Sequence, residues 1–258
     1  MPANQSHSLM RIVSLAPNVT SILLALGAAR ELIGVSKWCN EIAPVGRRPR
    51  VGDCWKLDVH EVMRLEPTLL IGSVPFATHT VDAILKLPVA FMALNPRTLA
   101  DIYSDVRTLA RLVNRVPTGN RLIREMRSGF AHIAHRSSRL GAPPRVYCEA
   151  WPNPRISSPP WVRELVEIAG GRMVLTPGAR VTDAEVAQAK PHLIVLAWTA
   201  TSDRARPETA LGNPMWKNVP AVKSGRVVVI RDELLNTPGP PLVEGARELF
   251  RAIHPSKR

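Results

Sequence analysis

Short runs of Val, Ile and Leu, closed by turn residues, recur along the chain with helix-like patterns between them. A run that is apolar on both faces must be covered on both faces. Such runs alternating with helices are the mark of βαβ units in a parallel sheet. Strands are expected at Arg11–Leu15, Leu32–Val35, Leu69–Gly72, Val89–Ala93, Arg145–Glu149, Leu193–Ala197 and Arg226–Ile230. The fold class that follows is α/β.

One segment breaks the alternation. Pro117–Leu140 carries a helical pattern too long for a routine crossover, with Thr118 placed to cap its start and Gly141 to stop it. Leu122, Ile123, Met126, Phe130 and Ile133 form one apolar stripe on an otherwise Arg-rich helix. Ala142-Pro143-Pro144 then restarts the strand and helix alternation. The expected organisation is therefore two Rossmann-like lobes with mainly parallel sheets, at 11–115 and 143–258, joined by one long helix at 117–141. The Pro-rich stretches Trp151–Pro160 and Thr237–Pro241 read as rigid loops.

With 258 residues, 45% of them hydrophobic, the chain can bury one large core or two smaller ones. No apolar run approaches the ~18 residues of a membrane span. The opening MPANQSHSLM has neither the basic start nor the apolar stretch of a secretion signal. A chain starting at Met1 is therefore expected in the cytoplasm, and one starting upstream in the periplasm. Cys39, Cys54 and Cys148 are an odd set without a C-x-x-C, which argues against a disulfide framework or closed zinc site and for free buried thiols. The net charge of +13 comes from scattered arginines, dense only at Arg47, Arg48 and Arg50. No nucleic-acid-binding signature accompanies them, so no nucleic-acid partner is expected.

In a parallel sheet, ligands sit beyond the carboxyl ends of the strands. The chain has six tryptophans against two tyrosines, and Trp38, Trp151 and Trp198 directly follow expected strands. Trp55 follows Val51-Gly52 and Phe76 follows LLIGS. One such aromatic normally packs on its own sheet, but strand-end aromatics from both halves suit a broad, flat ligand held in a cleft. Trp161 and Trp216 lie in helical or turn patterns and read as packing residues.

Catalytic patterns are thin. His60-Glu61 opens like a zinc-protease helix, but Arg64 stands where the second histidine must be. Dinucleotide, phosphate-loop and nucleophile-elbow patterns are missing from the sequence. Glu41, Asp53, Glu149 and Asp232 lie at strand ends or turns, where solvated loop carboxylates are expected. The seven histidines are dispersed, with His132 and His135 expected at the surface, and no three-histidine metal site stands out.

RIVSLAPNVTSILLALG, LIGVSKWC, a Val-Gly turn and EVMRLEPTLLIG occur in that order. PPWVRELVEIAGG, TDAEVAQAKPHLIVLAW, NPMWKNVPAVKSGRVVVI and LLNTPGPPLVEGARELF follow. Together, from Arg11 to Pro255, they resemble the Fe/B12-type periplasmic-binding domain family, closest to its cobalamin-binding branch. The resemblance implies two α/β lobes bridged by a long helix and a cleft that binds cobalamin, haem or an iron–siderophore chelate. It places Trp38 and Asp232 at ligand-contacting positions, and Cys54 and Ser73 where that branch has pocket tryptophans. Thr237 and Pro241 stand where the family commonly has arginines. The two glutamates that importer-linked members use for docking read His60 and Ala184 here, with Glu61 and Glu185 one residue away.

From residues and resemblance together, the ligand-contacting set is Pro17, Asn18, Trp38, Cys54, Trp55, Ser73, Trp151, Trp198 and Asp232. The expected function is non-catalytic binding of a corrinoid by a monomer, with no cofactor required and an ABC importer as possible partner. The alternatives are a haem or iron–siderophore binder, with anion contacts from Arg155, Arg180, Arg204 or Arg206, and a cytoplasmic enzyme or chaperone acting on a tetrapyrrole.

Overall fold

A computed structural model describes residues 10–199 and 205–255, so His7 and Arg204 lie outside the described residues. The chain divides into two compact units: the first runs to Asn95 and takes in Ser104–Leu122, and the second comprises Pro96–Tyr103 and the chain from Ile123 onward.

The first unit is built on β1 (Ile12–Ser14), α1 (Pro17–Ala25), β2 (Leu32–Ser36), β3 (Arg50–Val51), α2 (Val59–Met63), β4 (Leu69–Ser73), α3 (Thr78–Leu85) and β5 (Ala90–Leu94). The strands pair in the order β3-β2-β1-β4-β5, all parallel. All three residues of β1 are buried, as a central strand covered on both faces requires. Pro17 starts α1 at a position where its missing N–H is no loss. Asp58 caps α2 by accepting from the N–H groups of His60 and Glu61.

Two long helices follow, α4 (Leu99–Leu112) and α5 (Val116–Ser137). Asn114, with φ of 53°, turns the chain between them in a left-handed conformation that Asn tolerates. The long helix starts one residue before the expected Pro117 and ends at Ser137, short of Leu140. Proline fits the first turn of a helix, so Thr118 lies inside that turn rather than capping it. At the other end, the Ser137 hydroxyl donates to the carbonyls of Ala134 and Ile168. The stripe of Leu122, Ile123, Met126, Phe130 and Ile133 is buried.

The second unit continues with β6 (Arg145–Pro152), β7 (Arg155–Ser157), α6 (Val162–Ile168), β8 (Arg172–Met173), α7 (Asp183–Ala189), β9 (Leu193–Leu196), α8 (Pro207–Leu211), α9 (Pro220–Lys223), β10 (Val227–Val229), α10 (Asp232–Leu235) and α11 (Leu242–Ile253). Its sheet runs β10-β9-β6-β7, with β8 also on β6. All pairings are parallel except the antiparallel β6–β7 hairpin. That hairpin corrects the reading of Trp151–Pro160 as loop: Trp151 lies within β6 and pairs with Ile156, while Pro152 pairs with Arg155. The prolines sit around a tight reversal and leave the pairing intact on either side. α11 presents Leu242, Gly245, Ala246, Leu249 and Ile253 as one buried face.

Candidate functional site

In the first unit, the carboxyl ends of four adjacent strands are tied together by polar contacts. The 3-10 turn Lys37–Glu41 after β2 carries Trp38, whose indole N–H donates to Oδ2 of Asp53 at 2.8 Å. Asp53 follows β3, and its Oδ1 accepts from the backbone N–H groups of Trp55 and Lys56, each at 2.9 Å. The Lys37 ammonium lies 3.7 Å from Oδ2 and 4.7 Å from the centre of the Trp38 ring. Burial works to raise the Asp53 carboxyl. The two backbone donors, the indole and the lysine outweigh it and hold the group below the ordinary carboxylate range.

The adjacent thiols are enclosed. Cys54 directs its Sγ to the carbonyl of Leu15, beyond β1, at 3.5 Å, and burial pushes it up to about 11. Cys39 contacts the hydroxyls of Thr20 and Ser36, and burial raises it as well. Gly72 of β4 closes the arrangement: a Cβ there would lie 2.5 Å from Cζ of Phe76 and 3.2 Å from Sγ of Cys54. The loop carrying Cys54 packs over β4 because position 72 has no side chain.

In the second unit, the centre is Glu149 near the end of β6, 0% exposed. Its Oε1 accepts from the Trp198 indole at 2.9 Å; its Oε2 accepts from the Tyr147 hydroxyl at 3.0 Å and from the Arg155 guanidinium. Arg155 also pairs with Asp183 at 2.9 Å and lies 4.4 Å from the centre of the Trp216 ring. Burial pushes the Glu149 carboxyl up, and Arg155, Trp198 and Tyr147 draw it part of the way back. Trp198 follows β9 and, 8% exposed, lines a cavity of about 310 Å³ with Arg206, Pro207, Val229, Arg231 and Asp232. Asp232 opens α10 immediately beyond β10.

The site residues expected from sequence fall into two groups. Pro17, Asn18, Trp38, Cys54, Trp55 and Ser73 lie at or just beyond the carboxyl ends of β1 to β4 in the first unit. Asn18 is buried with its Nδ2 unpartnered, Ser73 directs its hydroxyl to the Leu94 carbonyl, and Trp55 is 58% exposed. Trp198 and Asp232 share the cavity of the second unit. Trp151 does not line it: inside the hairpin, its indole donates to the Asn153 carbonyl. Asp53 and Glu149 are corrected from solvated loop carboxylates to buried acceptors of indole N–H groups. The available signal was that each falls at a strand end within reach of a strand-end tryptophan, but pairing across 15 or 49 residues is not visible in local pattern.

Arg155 is likewise committed to Glu149 and Asp183, whereas Arg180 is exposed and Arg206 lines the cavity. Near the docking positions, Glu185 completes a capping box with Thr182, its carboxylate accepting from the Thr182 N–H at 2.7 Å and hydroxyl at 2.8 Å. His60, Glu61 and Ala184 are exposed. All three cysteines are free and buried, and Trp161 and Trp216 are buried packing residues. Among the described residues, no group of three or more His, Cys, Asp or Glu is placed to hold a metal ion. No helix among them is long and apolar enough to cross a membrane.

Two α/β units with mainly parallel sheets are an architecture this chain shares with solved periplasmic binding proteins. The chain belongs to the periplasmic binding protein family, whose model matches residues 12–234, which bears out the resemblance drawn from its motifs. It is 24% identical over 259 aligned residues to an uncharacterized ABC transporter substrate-binding lipoprotein of Bacillus subtilis, covering 95% of this chain and 80% of that one. It is 20% identical to a vitamin B12-binding protein of Pectobacterium atrosepticum, with 93% and 86% covered. A periplasmic haem-binding protein of Pseudomonas aeruginosa superposes with a TM-score of 0.84 at 21% identity, over 96% of this chain and 94% of that one, which shows a shared fold.

Proposed function

We propose that the protein is the ligand-binding component of an ABC-type uptake system, and that it holds a corrinoid of the vitamin B12 type without transforming it. The observation that carries this reading is the pair of strand-end tryptophans, Trp38 and Trp198, each held by its indole N–H on a buried carboxylate. Rigid aromatic faces with a few polar groups beside them suit a flat macrocycle. The cavity of about 310 Å³ at Trp198 is at the small end of ligand pockets, so in this reading it receives an edge of the macrocycle. The Pectobacterium relative named for vitamin B12 supports the choice of ligand. The most enclosed acid, Glu149, already accepts three donors and is shut off from solvent, which supports binding without chemistry.

A haem or an iron–siderophore is the second reading. Arg206 and Arg231 line the same cavity as Trp198, Arg231 with its guanidinium also paired to Glu233, and positive charge there favours a ligand with carboxylates or other anionic groups at its edge. An uptake role puts capture outside the cytoplasmic membrane. Cytoplasmic residence would instead accompany a carrier or sensor, and the commitment of Glu185 to its own helix cap supports a changed or lost importer contact. Cell fractionation separates these two.

Titration of tryptophan fluorescence with cyanocobalamin, cobinamide, haemin and a ferric siderophore, corrected for absorbance and checked by calorimetry, tests the reading. Saturable one-to-one binding of the cobalt compounds is expected. Selective binding of haemin or the siderophore replaces the first reading with the second, and no binding by the folded protein removes both.

A further inference from the structure

The indole N–H groups of the tryptophans meet two kinds of acceptor. Trp151, Trp161 and Trp216 donate to main-chain carbonyls, those of Asn153, Leu235 and Asp183. Trp38 and Trp198 donate to the carboxylates of Asp53 and Glu149. In both carboxylates one oxygen takes two scaffold donors and the other takes the indole. One oxygen serves the scaffold: Oδ1 of Asp53 takes the backbone of Trp55 and Lys56, and Oε2 of Glu149 takes Tyr147 and Arg155. The other oxygen faces the indole. Each carboxylate also has a cation: Lys37 approaches the indole-facing oxygen of Asp53 and lies over Trp38 itself, whereas Arg155 meets the scaffold oxygen of Glu149 and lies over Trp216.

We propose that Asp53 and Glu149 are positioning residues for ligand capture, each fixing the ring plane of its strand-end tryptophan before the ligand arrives. The inference rests on the reading that Trp38 and Trp198 contact the chelate. A hydrogen bond to a charged acceptor is shorter and stronger than one to a neutral carbonyl, and it restricts both side-chain rotors of the indole. Ordering a side chain in advance removes a cost otherwise met on binding, worth roughly two- to tenfold in affinity for each residue. Only these two tryptophans, among the five whose indole bonds are named above, combine a strand-end address with a carboxylate acceptor.

The division of the oxygens makes the inference testable with isosteric changes. In Asp53→Asn or Glu149→Gln, the single remaining carbonyl oxygen is expected to stay with the two scaffold donors. The new NH₂ group then faces the indole N–H, donor against donor, so the bond to the tryptophan is lost together with the negative charge that pairs with Lys37 or Arg155. Affinity for cyanocobalamin and haemin is measured calorimetrically for the wild type, D53N, E149Q, W38F, W198F and the two double variants D53N/W38F and E149Q/W198F. The ¹⁵N-indole spectra of the ligand-free proteins are recorded alongside.

Each amide change is expected to shift the indole resonance of its own tryptophan and to weaken the compound bound by the wild type roughly two- to tenfold. In the matching phenylalanine background, the amide change should add much less than in the wild type, because the indole bond is already gone and only the charge paired with Lys37 or Arg155 remains to be lost. Unchanged affinity in D53N and E149Q overturns the inference. So does a loss that persists in full in the phenylalanine backgrounds, since the carboxylate would then act on the fold at large. Failure of the wild type to bind either compound is a different result and overturns the functional reading itself. If E149Q does not fold, the Asp53–Trp38 cycle decides alone.

Discussion

Gly245 lies against the main chain of α10: a Cβ added to it would stand 1.9 Å from the carbonyl oxygen of Leu234. Backbone cannot yield as a flexible side chain can, so Gly245→Ala must push α11 and α10 apart. The expected cost is about 1–3 kcal/mol, the usual range for overpacking, measured as a shift in urea-unfolding midpoint. Because α10 begins with Asp232, a residue lining the cavity, the variant should also weaken ligand binding beyond its loss of stability.

Trp216 and Trp55 should separate stability from binding. Trp216 is 0% exposed, packs edge-on to Tyr147, stacks with Arg155 and donates to the Asp183 carbonyl. Trp216→Ala is expected to cost about 3–5 kcal/mol of unfolding free energy. Trp55 is largely exposed, so Trp55→Ala should change stability by no more than ~0.5 kcal/mol. Its effect should instead appear in chelate titrations, and an equal loss of stability in both variants would show that Trp55 is a packing residue.

The parts of this fold that were legible in sequence are those where one physical demand dominates. The segments around Ile12–Ser14 and Leu193–Leu196 are buried on both faces, and short apolar runs closed by turn residues read as central strands. The stripe along α5 was equally plain, because 22 helical residues repeat the period many times. The β3 and β8 strands, with two residues each, carry no period to read, and the β6–β7 hairpin was masked by the prolines beside its turn. At the site, Trp38 and Trp198 were visible from their strand-end addresses. Glu149 and Arg155 stood out only as a strand-end carboxylate and an anion-contact arginine; their pairing was not visible, because a buried ion pair is made by tertiary placement, and a charged residue near a turn looks the same in sequence whether solvated or enclosed.

The three thiols give a prediction about local opening. Burial raises Cys39, pushes Cys54 up to about 11 and Cys148 up to about 12. At pH 8, a thiol with a value near 11 is thiolate to roughly one part in a thousand, and thiolate is the reactive form. The native protein should therefore react slowly with a disulfide reagent, and all three cysteines should react at once in denaturant. Fast labelling of Cys54 alone would show that the Asp53–Trp55 loop opens without global unfolding, and that its hold on Trp38 is correspondingly loose.

Asp53 and Glu149 should impose opposite slopes on stability against pH. The donors around Asp53 hold its carboxyl below the ordinary value of 3.8, so the folded chain binds that proton less readily than the unfolded chain. Its contribution is complete above that ordinary value and is lost as pH falls through the lower folded value. Burial raises Glu149 above 4.5, so the folded chain holds that proton more readily. Its contribution is complete below 4.5 and is lost as pH rises through the folded value. Urea unfolding from pH 2.5 to 7 checks both signs. D53N should flatten the acid-side fall in stability, whereas E149Q should remove a decline above pH 4.5 and make the slope there more positive. An unaltered slope in E149Q would mean that Arg155, Trp198 and Tyr147 offset the burial of Glu149 in full, leaving its carboxylate as easily ionised as in the unfolded chain.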